Sequence, residues 1–235
     1  MSQSFDWELS NRQPFEIPNT YLFIGTGYSN LLGNNDLAVP VDNTQILFSK
    51  FNGSAFNINI GVEYWLNEKI SISPVIQYSK FNFDFNQVAS YPIYNGEMLK
   101  LNNLYNLNNS LFGIGINFKY VFWNKLGINV NLEKNFAMKS SNSYNLSIIS
   151  PEWYTFKDGT KSAELFNKSD DNTIGYLGVG LKLTYDYAIN YPIYLTPYCE
   201  YNYGISSIQT NQHFNISKFS IGIQVNYGIN NLKLF

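Results

Sequence analysis

Apolar and polar residues alternate along much of this chain, most regularly over Leu111–Trp123. Successive side chains of a β-strand point to opposite faces, so this segment predicts a strand with one fully apolar face. The apolar positions are Phe112, Ile114, Ile116, Phe118, Tyr120 and Phe122, and the positions between them include Gly113, Gly115, Asn117 and Lys119.

The same alternation predicts eight strands joined by connections of two kinds. Short turns follow Leu66, Trp123 and Tyr187, whereas long loops occupy about 29–53, 86–109, 139–172 and 209–215. Short periplasmic turns with long extracellular loops are typical of bacterial outer-membrane barrels. We therefore expect an all-β protein, a closed antiparallel up-and-down transmembrane β-barrel over residues 19–235. Residues 1–18 form a periplasmic N-terminal segment, and both termini are periplasmic.

Two local features modify this picture. Asn52-Gly53 is a hairpin signal that makes Gln45–Phe51 a candidate strand, so a count of ten strands stays open beside eight. Beyond Lys80 the apolar positions change parity, which predicts a β-bulge at the rim of the barrel. The apolar residues on the new parity are Phe81, Phe83 and Phe85.

The composition helps to decide whether the apolar faces meet lipid or form the core of a soluble protein. Charged residues make up only 14% of the chain and aromatic residues 17%, against about 25% charged residues in typical soluble domains. In a soluble sandwich the apolar faces form the core. Here the inward positions are rich in Gly, Ser and Asn, and the predicted strands are long enough to cross a bilayer at ~45° tilt. We interpret the apolar faces as lipid-facing.

Seven charged residues occupy mid-strand positions on the inward parity. A charge at the lipid midplane of a barrel costs about 2–4 kcal/mol, and an unpaired buried charge is also costly. We expect these residues to pair inside the barrel and to plug its lumen. They are Glu63, Lys119, Glu133, Lys182, Asp186, Glu200 and Lys218.

Aromatic residues crowd the short-turn ends of the strands and predict an interfacial girdle, since their rings are apolar and their polar atoms reach water. Two lysines, Lys80 and Lys134, lie on the outward parity near the long-loop ends. There a lysine can extend towards lipid phosphates, the alternative being a rim lysine without bound lipid. The girdle residues are Tyr64, Trp65, Phe122, Trp123, Tyr185, Tyr187, Tyr191 and Tyr194.

Other chemical signals are few. A net charge of −2 gives no basic stripe for nucleic acid, and the single cysteine, Cys199, excludes a disulfide framework. No spacing of metal ligands or phosphate-binding glycine loop is found, so we expect no catalytic residue, metal site or cofactor. Residues 1–18 have no apolar signal-peptide core, so we expect the printed chain to be the mature exported form.

Eight alternating strands, short inner turns, long outer loops and the terminal Phe235 resemble the small outer-membrane barrels of the OmpA/OmpX type. The Tyr- and Asn-rich composition is similar to the stand-alone outer-membrane β-barrel proteins of Bacteroidetes, which include the PorT-like group. The resemblance implies outer-membrane lipid and lipopolysaccharide as surroundings. It also implies that the barrel insertion machinery recognises Phe235, although Leu232 and Leu234 are out of step with the usual alternation.

For function, this class of protein predicts a structural or interaction role in the cell envelope, including that of an accessory subunit of an envelope or secretion complex. The outer loops are then the surface that meets other envelope proteins. Two alternatives stay open: a porin-like narrow pore for small solutes, and a lipid A-modifying hydrolase or acyltransferase. The enzyme hypothesis depends on His213, with Ser206, Ser207 and Ser217 near it in sequence.

Overall fold

The computed structural model describes residues 18–33, 37–41, 44–48, 51–93, 96–123, 125–169, 173–209 and 214–229. Phe235, His213 and residues 1–17 lie outside the described residues. Within the described ranges, no helix is long and apolar enough to cross a membrane. The strands are β1 (Thr20–Leu32), β2 (Leu37–Val41), β3 (Thr44–Phe48), β4 (Phe51–Trp65), β5 (Ile70–Pro92), β6 (Met98–Trp123), β7 (Leu126–Ser150), β8 (Ser162–Ser169), β9 (Leu177–Tyr185), β10 (Tyr187–Asn190), β11 (Ile193–Gly204) and β12 (Ser217–Ile229).

Eight of these strands form a closed antiparallel ring in the order β1-β4-β5-β6-β7-β9-β11-β12. The ring closes where β1 pairs with β12, from Thr20 opposite Ile229 to Leu32 opposite Ser217. The prediction of an eight-stranded up-and-down barrel is thereby confirmed. Asn52 and Gly53 lie within β4 and form no turn. The candidate strand Gln45–Phe51 overlaps β3, which pairs with β2 in a separate two-stranded sheet outside the ring.

The barrel wall has an apolar outer face. Along β12, Ile221, Ile223 and Val225 point outward and are 41–64% exposed, whereas Ser220 and Asn226, which flank them on the opposite parity, point inward and are fully buried. Every barrel strand repeats this arrangement, with exposed aliphatic and aromatic residues outside. An exposed apolar belt of this extent is unfavourable in water and favourable in lipid, so the barrel is a membrane-spanning one.

The hydrophobic pattern reverses along β5 without any break in the strand. Ser71, Ser73 and Ser79 are buried inside the ring, and the same parity continues as buried Phe81, Phe83 and Phe85. Pairing of β5 with β4 and β6 runs in register through Lys80. The predicted bulge at Lys80 is therefore wrong, because the inward residues change from polar to apolar while the backbone keeps its phase.

A β-bulge does occur at this level, but on β7, which is separated from β5 by β6. Leu111 of β6 pairs with Ala137, and the next residue, Ser110, pairs with Lys139, so Met138 is the extra residue. Bulges bend a strand and increase its local twist.

Three strands continue far beyond the belt. β5, β6 and β7 contain 23, 26 and 25 residues, more than twice the 9–11 residues that cross a bilayer. Where the alternation predicts loops, at 86–109 and 139–172, most residues are thus strand. With β8 added to the free edge of β7, the four strands build a sheet that projects from the barrel, called the projecting sheet below.

Candidate functional site

The barrel interior contains all seven charged residues that the alternation placed there. Six of them come from six different strands and the seventh is Asp186, which separates β9 from β10, and each is at most 7% exposed. Their inward direction follows from strand parity, since each lies in step with the small and polar residues of its strand. Four ion pairs join them across and along the lumen.

The cluster nearest the short-turn end is centred on Lys119 of β6. Its ammonium lies 2.6 Å from Asp186 Oδ2 and 3.4 Å from Glu63 Oε1. Thr196 donates a hydrogen bond of 2.8 Å to the other oxygen of Asp186, and Ser71 donates one of 2.8 Å to Glu63. One cation therefore serves two carboxylates, and neutral hydroxyl groups supply the remaining donors.

The next cluster is centred on Glu133 of β7. The ammonium of Lys218 lies 2.9 Å from its Oε1, and the Tyr176 hydroxyl donates to the same oxygen at 2.7 Å. Gln77 of β5 donates to the second oxygen at 2.9 Å. This carboxylate thus ties together β5, β7 and β12, which are not neighbours in the ring.

A third pair lies between adjacent strands. Lys182 of β9 and Glu200 of β11 are directly opposite each other in the ladder, with 3.8 Å between Nζ and Oε2. Asn131 also donates a hydrogen bond to Glu200, and the Lys182 ammonium lies 4.6 Å from the centre of the Tyr198 ring. A cross-strand pair of this kind braces two neighbouring strands.

Two members of the predicted aromatic girdle belong to the interior instead. Trp65 is 3% exposed and Tyr194 is fully buried. The Tyr194 hydroxyl donates to Glu63, and the Trp65 ring lies 5.2 Å from the Lys119 ammonium. Their parity predicts this position, because Trp65 is in step with Glu63 and Tyr194 with Thr196. With Tyr21 and Val121 they form a buried aromatic floor beneath the Lys119 cluster.

The other six girdle residues lie on or near the outer surface. Phe122, Trp123, Tyr185 and Tyr187 are 42–68% exposed, and Tyr64 and Tyr191 are partly exposed. The Tyr187 ring also lies 5.9 Å from the ammonium of Lys125, in the β6-β7 turn. This end of the barrel thus carries the aromatic and basic side chains that favour a membrane–water interface.

Above the charged layers the barrel is filled by apolar side chains. Phe81, Phe83 and Phe85 of β5 pack with Phe51 and with Phe214, and the ring centres of neighbouring pairs lie 5.3–6.4 Å apart. Such separations are those of edge-to-face and offset aromatic pairs. Sequence reasoning missed this layer because it assigned these phenylalanines to the lipid face.

The same apolar cluster also includes residues of the β2-β3 hairpin and of the projecting sheet. The β2-β3 hairpin contributes Leu37, Val39 and Phe48, and β7 contributes Tyr144. The Tyr144 hydroxyl donates to Asn103 Oδ1 at 2.6 Å, and burial raises the pKa of Tyr144 to about 12. Tyr144 therefore stays neutral at physiological pH, as an apolar cluster requires.

Little space is left in the middle of the barrel. The cavity between the charged layers has a volume of about 20 Å³ and is lined by Asn57, Asn59 and Gln77, among others. A volume of that size holds about one water molecule. In the described part of the chain the lumen is therefore filled by its own side chains.

Two of the three serines of the enzyme hypothesis, Ser206 and Ser207, hold loop structure together, and the third, Ser217, begins β12. Ser206 Oγ accepts a hydrogen bond from the Leu177 N–H at 2.9 Å, and Ser207 Oγ accepts from the N–H groups of Gln209 and Phe214. Their supposed partner, His213, lies outside the described residues. Within the described ranges, no three His, Cys, Asp or Glu side chains are arranged to hold a metal ion.

No family model matches this chain, and no curated protein matches it. Among solved structures it is similar to Neisserial surface protein A, at 11% identity, covering 88% of this chain and 96% of that one, with a TM-score of 0.37. Ail of Yersinia pestis, in complex with the heparin analogue sucrose octasulfate, matches at 11% identity, 89% and 99% coverage and a TM-score of 0.39. Outer membrane protein AlkL in DMPC bilayers matches at 7% identity, 94% and 95% coverage and a TM-score of 0.43. At these values the likeness concerns the fold alone.

Proposed function

We propose that this chain is a non-conducting barrel of the bacterial outer membrane with a structural or interaction role. Its short turns and both termini face the periplasm, and its projecting sheet faces the cell exterior. The sheet meets another protein of the envelope, which makes the chain an accessory subunit of an envelope or secretion complex. The observation that carries the proposal is the filled lumen beneath an ordered projecting sheet.

The filled lumen favours this role over that of a narrow pore. Four buried ion pairs and the aromatic floor occupy the lower half of the barrel, and the phenylalanine layer occupies the upper half. A solute would have to separate charges that are expensive to leave unpaired in a buried site. The interior therefore supports a bracing role for its charges.

The projecting sheet supports the interaction role, because it exposes large apolar side chains outside the lipid belt. Exposed apolar groups that lipid does not cover are typical of protein interaction surfaces. Those on the sheet and its β7-β8 connection are 43–63% exposed, and they are Val88, Tyr91, Met98, Ile149, Trp153 and Leu165.

Planar-bilayer recording and affinity purification test the proposal together. We expect no stable conductance from the purified protein, and we expect a specific envelope protein to co-purify from native membranes. The triple variant Val88→Ser/Ile149→Ser/Leu165→Ser should lose that protein. A matched variant in the belt, Ile221→Leu/Ile223→Leu/Val225→Ile, should keep it. A large stable conductance, or a monomer that captures nothing reproducible, contradicts the proposal.

We also propose that the chain has no catalytic role in lipid A modification. The serine contacts described above are structural ones and support this view. Mass spectrometry of lipid A from cells with and without the protein should give the same profile. A change in acylation that the His213→Ala variant abolishes overturns this part of the proposal.

A further inference from the structure

A row of cationic and hydroxyl side chains crosses three neighbouring strands on the outer face of the barrel. Lys80 of β5 pairs with Ser110 of β6, and Ser110 pairs with Lys139 of β7. The two lysines are exposed and Ser110 is half-buried. Because adjacent strands lie ~4.8 Å apart, the backbones of the two lysines are separated by roughly 10 Å. We call Lys80, Ser110 and Lys139 the lysine row.

The lysine row lies directly above an apolar row. One step towards the short-turn end, Tyr78, Phe112 and Phe136 are paired across the same three strands and are 38–43% exposed on the same face. The reversal of the hydrophobic pattern along β5 begins at the same level, at Lys80. This row therefore marks the boundary between the lipid belt and water.

The bulge in β7 is what gives the row its second lysine. In a regular ladder the residue opposite Ser110 would be Met138, the one after Ala137. The extra residue moves Lys139 into that position instead. A bulge that re-aims a side chain is commonly a functional feature.

A third lysine lies within reach of the same place. Lys134 of β7 is exposed on the outer face, between Ile114 of β6 and Leu177 of β9. Its ammonium lies 5.8 Å from the centre of the ring of Phe136, which is the next outward residue of β7 towards the lysine row. A lysine among lipid-facing apolar residues is favourable only if its ammonium extends to the interface.

No acid among the described residues pairs with these three lysines, since every ion pair there lies inside the barrel. Asp84 is the next acid along β5, four residues beyond Lys80 and so roughly 13 Å away at ~3.3 Å per residue. Ser110 accepts a hydrogen bond of 3.2 Å from the Tyr78 hydroxyl, which leaves its own O–H able to donate. Among the residues that the structure describes, the site thus offers three ammonium groups and one hydroxyl, and no carboxylate pairs with them.

We propose that Lys80, Ser110, Lys134 and Lys139 bind the phosphate group of a lipid headgroup in the membrane leaflet at this end of the barrel. The ammonium groups and the serine hydroxyl contact the phosphate oxygens, and the acyl chains lie along the row of Tyr78, Phe112 and Phe136. A cationic site set directly on an exposed apolar strip fits an amphiphile better than a free anion. The inference does not depend on the interaction role proposed above.

Native mass spectrometry of the full chain in detergent micelles tests the site. The probes are phosphorylated lipid A, the same lipid A after phosphatase treatment, and inorganic phosphate. We expect the wild-type protein to retain phosphorylated lipid A at least tenfold more tightly than Lys80→Gln/Lys134→Gln/Lys139→Gln does. The two proteins should retain dephosphorylated lipid A equally.

A matched control removes the same charge elsewhere on the exposed surface. Lys100→Gln/Lys157→Gln/Lys161→Gln should bind like wild type, and Lys80→Arg/Lys134→Arg/Lys139→Arg should retain most of the binding. Far-UV circular dichroism and heat-modifiable electrophoretic mobility report folding, and the single variant Lys139→Met serves if the triple variant does not fold. Equal binding by the Gln variant and wild type overturns the site. Displacement of lipid A by millimolar inorganic phosphate alone overturns its assignment to lipid.

Discussion

Lys218 and Glu133 form an ion pair of 2.9 Å across the barrel, although their strands β12 and β7 are separated in the ring by β9 and β11. Both side chains are at most 7% exposed. A contact across the lumen restrains the shape of the barrel in a way that the hydrogen-bonded ladder does not, because the ladder joins only neighbours. The pair is thus a strut between opposite walls.

Removing one partner of this strut should be far more costly than removing both. Lys218→Met leaves the Glu133 carboxylate buried without a cation. Removing one partner of a buried ion pair in this way typically lowers the free energy of unfolding by about 3–5 kcal/mol. Lys218→Met/Glu133→Gln should recover most of that loss. Urea unfolding in lipid vesicles, followed by tryptophan fluorescence, measures both variants. Equal midpoints for the single and double variants contradict the strut.

Two of the lysines inside the barrel, Lys119 and Lys182, should contribute unequally to the free energy of unfolding. Lys119 neutralises two carboxylates, at 2.6 and 3.4 Å, whereas Lys182 faces one at 3.8 Å. Lys119→Gln should therefore lower the free energy of unfolding more than Lys182→Gln does, by at least roughly 1–3 kcal/mol, the cost of one more buried acceptor left without its partner. The same urea experiment ranks them, and a larger loss for Lys182→Gln refutes the assignment of Lys119 as the centre of its cluster.

Alternation alone predicted the strand order, the count and the inward direction of the seven charges, because parity within a strand is a local property. It could not tell which charges meet, since the contact of Glu133 with Lys218 depends on barrel closure. It also failed at Phe81, Phe83 and Phe85. There the inward residues of one strand change from polar to apolar. In the sequence this change looks like a shift of the alternation by one residue, although the backbone keeps its phase. The projecting sheet was missed for a related reason, because Asn-rich strands in water lack the alternation that lipid imposes.

The level at which the pattern reverses on β5 should be measurable as a membrane boundary. Ile76 and Asn82 both point outward on this strand, on either side of Lys80. Ile76→Lys should reduce folding into vesicles by about 2–4 kcal/mol, the cost of a lysine near the midplane of a barrel. Asn82→Lys should have almost no effect, because that position faces water. Similar losses for the two variants would falsify the assigned boundary.

Gly175 should tolerate no side chain. Its φ is +97°, and an added Cβ would lie 2.1 Å from the carbonyl oxygen of Asn135, a backbone atom that also accepts the Tyr176 N–H. Gly175→Ala therefore combines backbone strain with a clash and should lower stability well beyond the roughly 1–2 kcal/mol of left-handed strain alone.

Gly159 provides the matched control for Gly175. Its φ is +79°, and an added Cβ meets nothing within 4 Å, so Gly159→Ala carries the strain without the clash. Thermal unfolding in detergent should show a small decrease in Tm for Gly159→Ala and a large one for Gly175→Ala. Equal decreases would mean that the chain near Asn135 yields easily.

The turn between β7 and β8 should respond to acid. The N–H of Thr160 donates to the Asp158 carboxylate at 3.0 Å and its hydroxyl does so at 2.8 Å, and these bonds hold the pKa of Asp158 below its usual value. Because the pKa is lowered in the folded turn, the stabilisation is present above the ordinary carboxyl pKa. It is lost as the pH falls through the lowered pKa.

Nuclear magnetic resonance titration of the Asp158 carboxyl carbon measures this pKa directly. Thr160→Val removes the hydroxyl donor and keeps the N–H, so it should raise the pKa of Asp158 only part of the way to its usual value. The side-chain carbonyl oxygen in Asp158→Asn can still accept the N–H of Thr160, so this variant should retain the turn at neutral pH. Amide hydrogen exchange at Gly159, whose N–H donates to the Phe156 carbonyl at 2.9 Å, reports whether the turn persists. A carboxyl that titrates at its ordinary pKa in the wild-type protein contradicts the hydrogen-bonded turn.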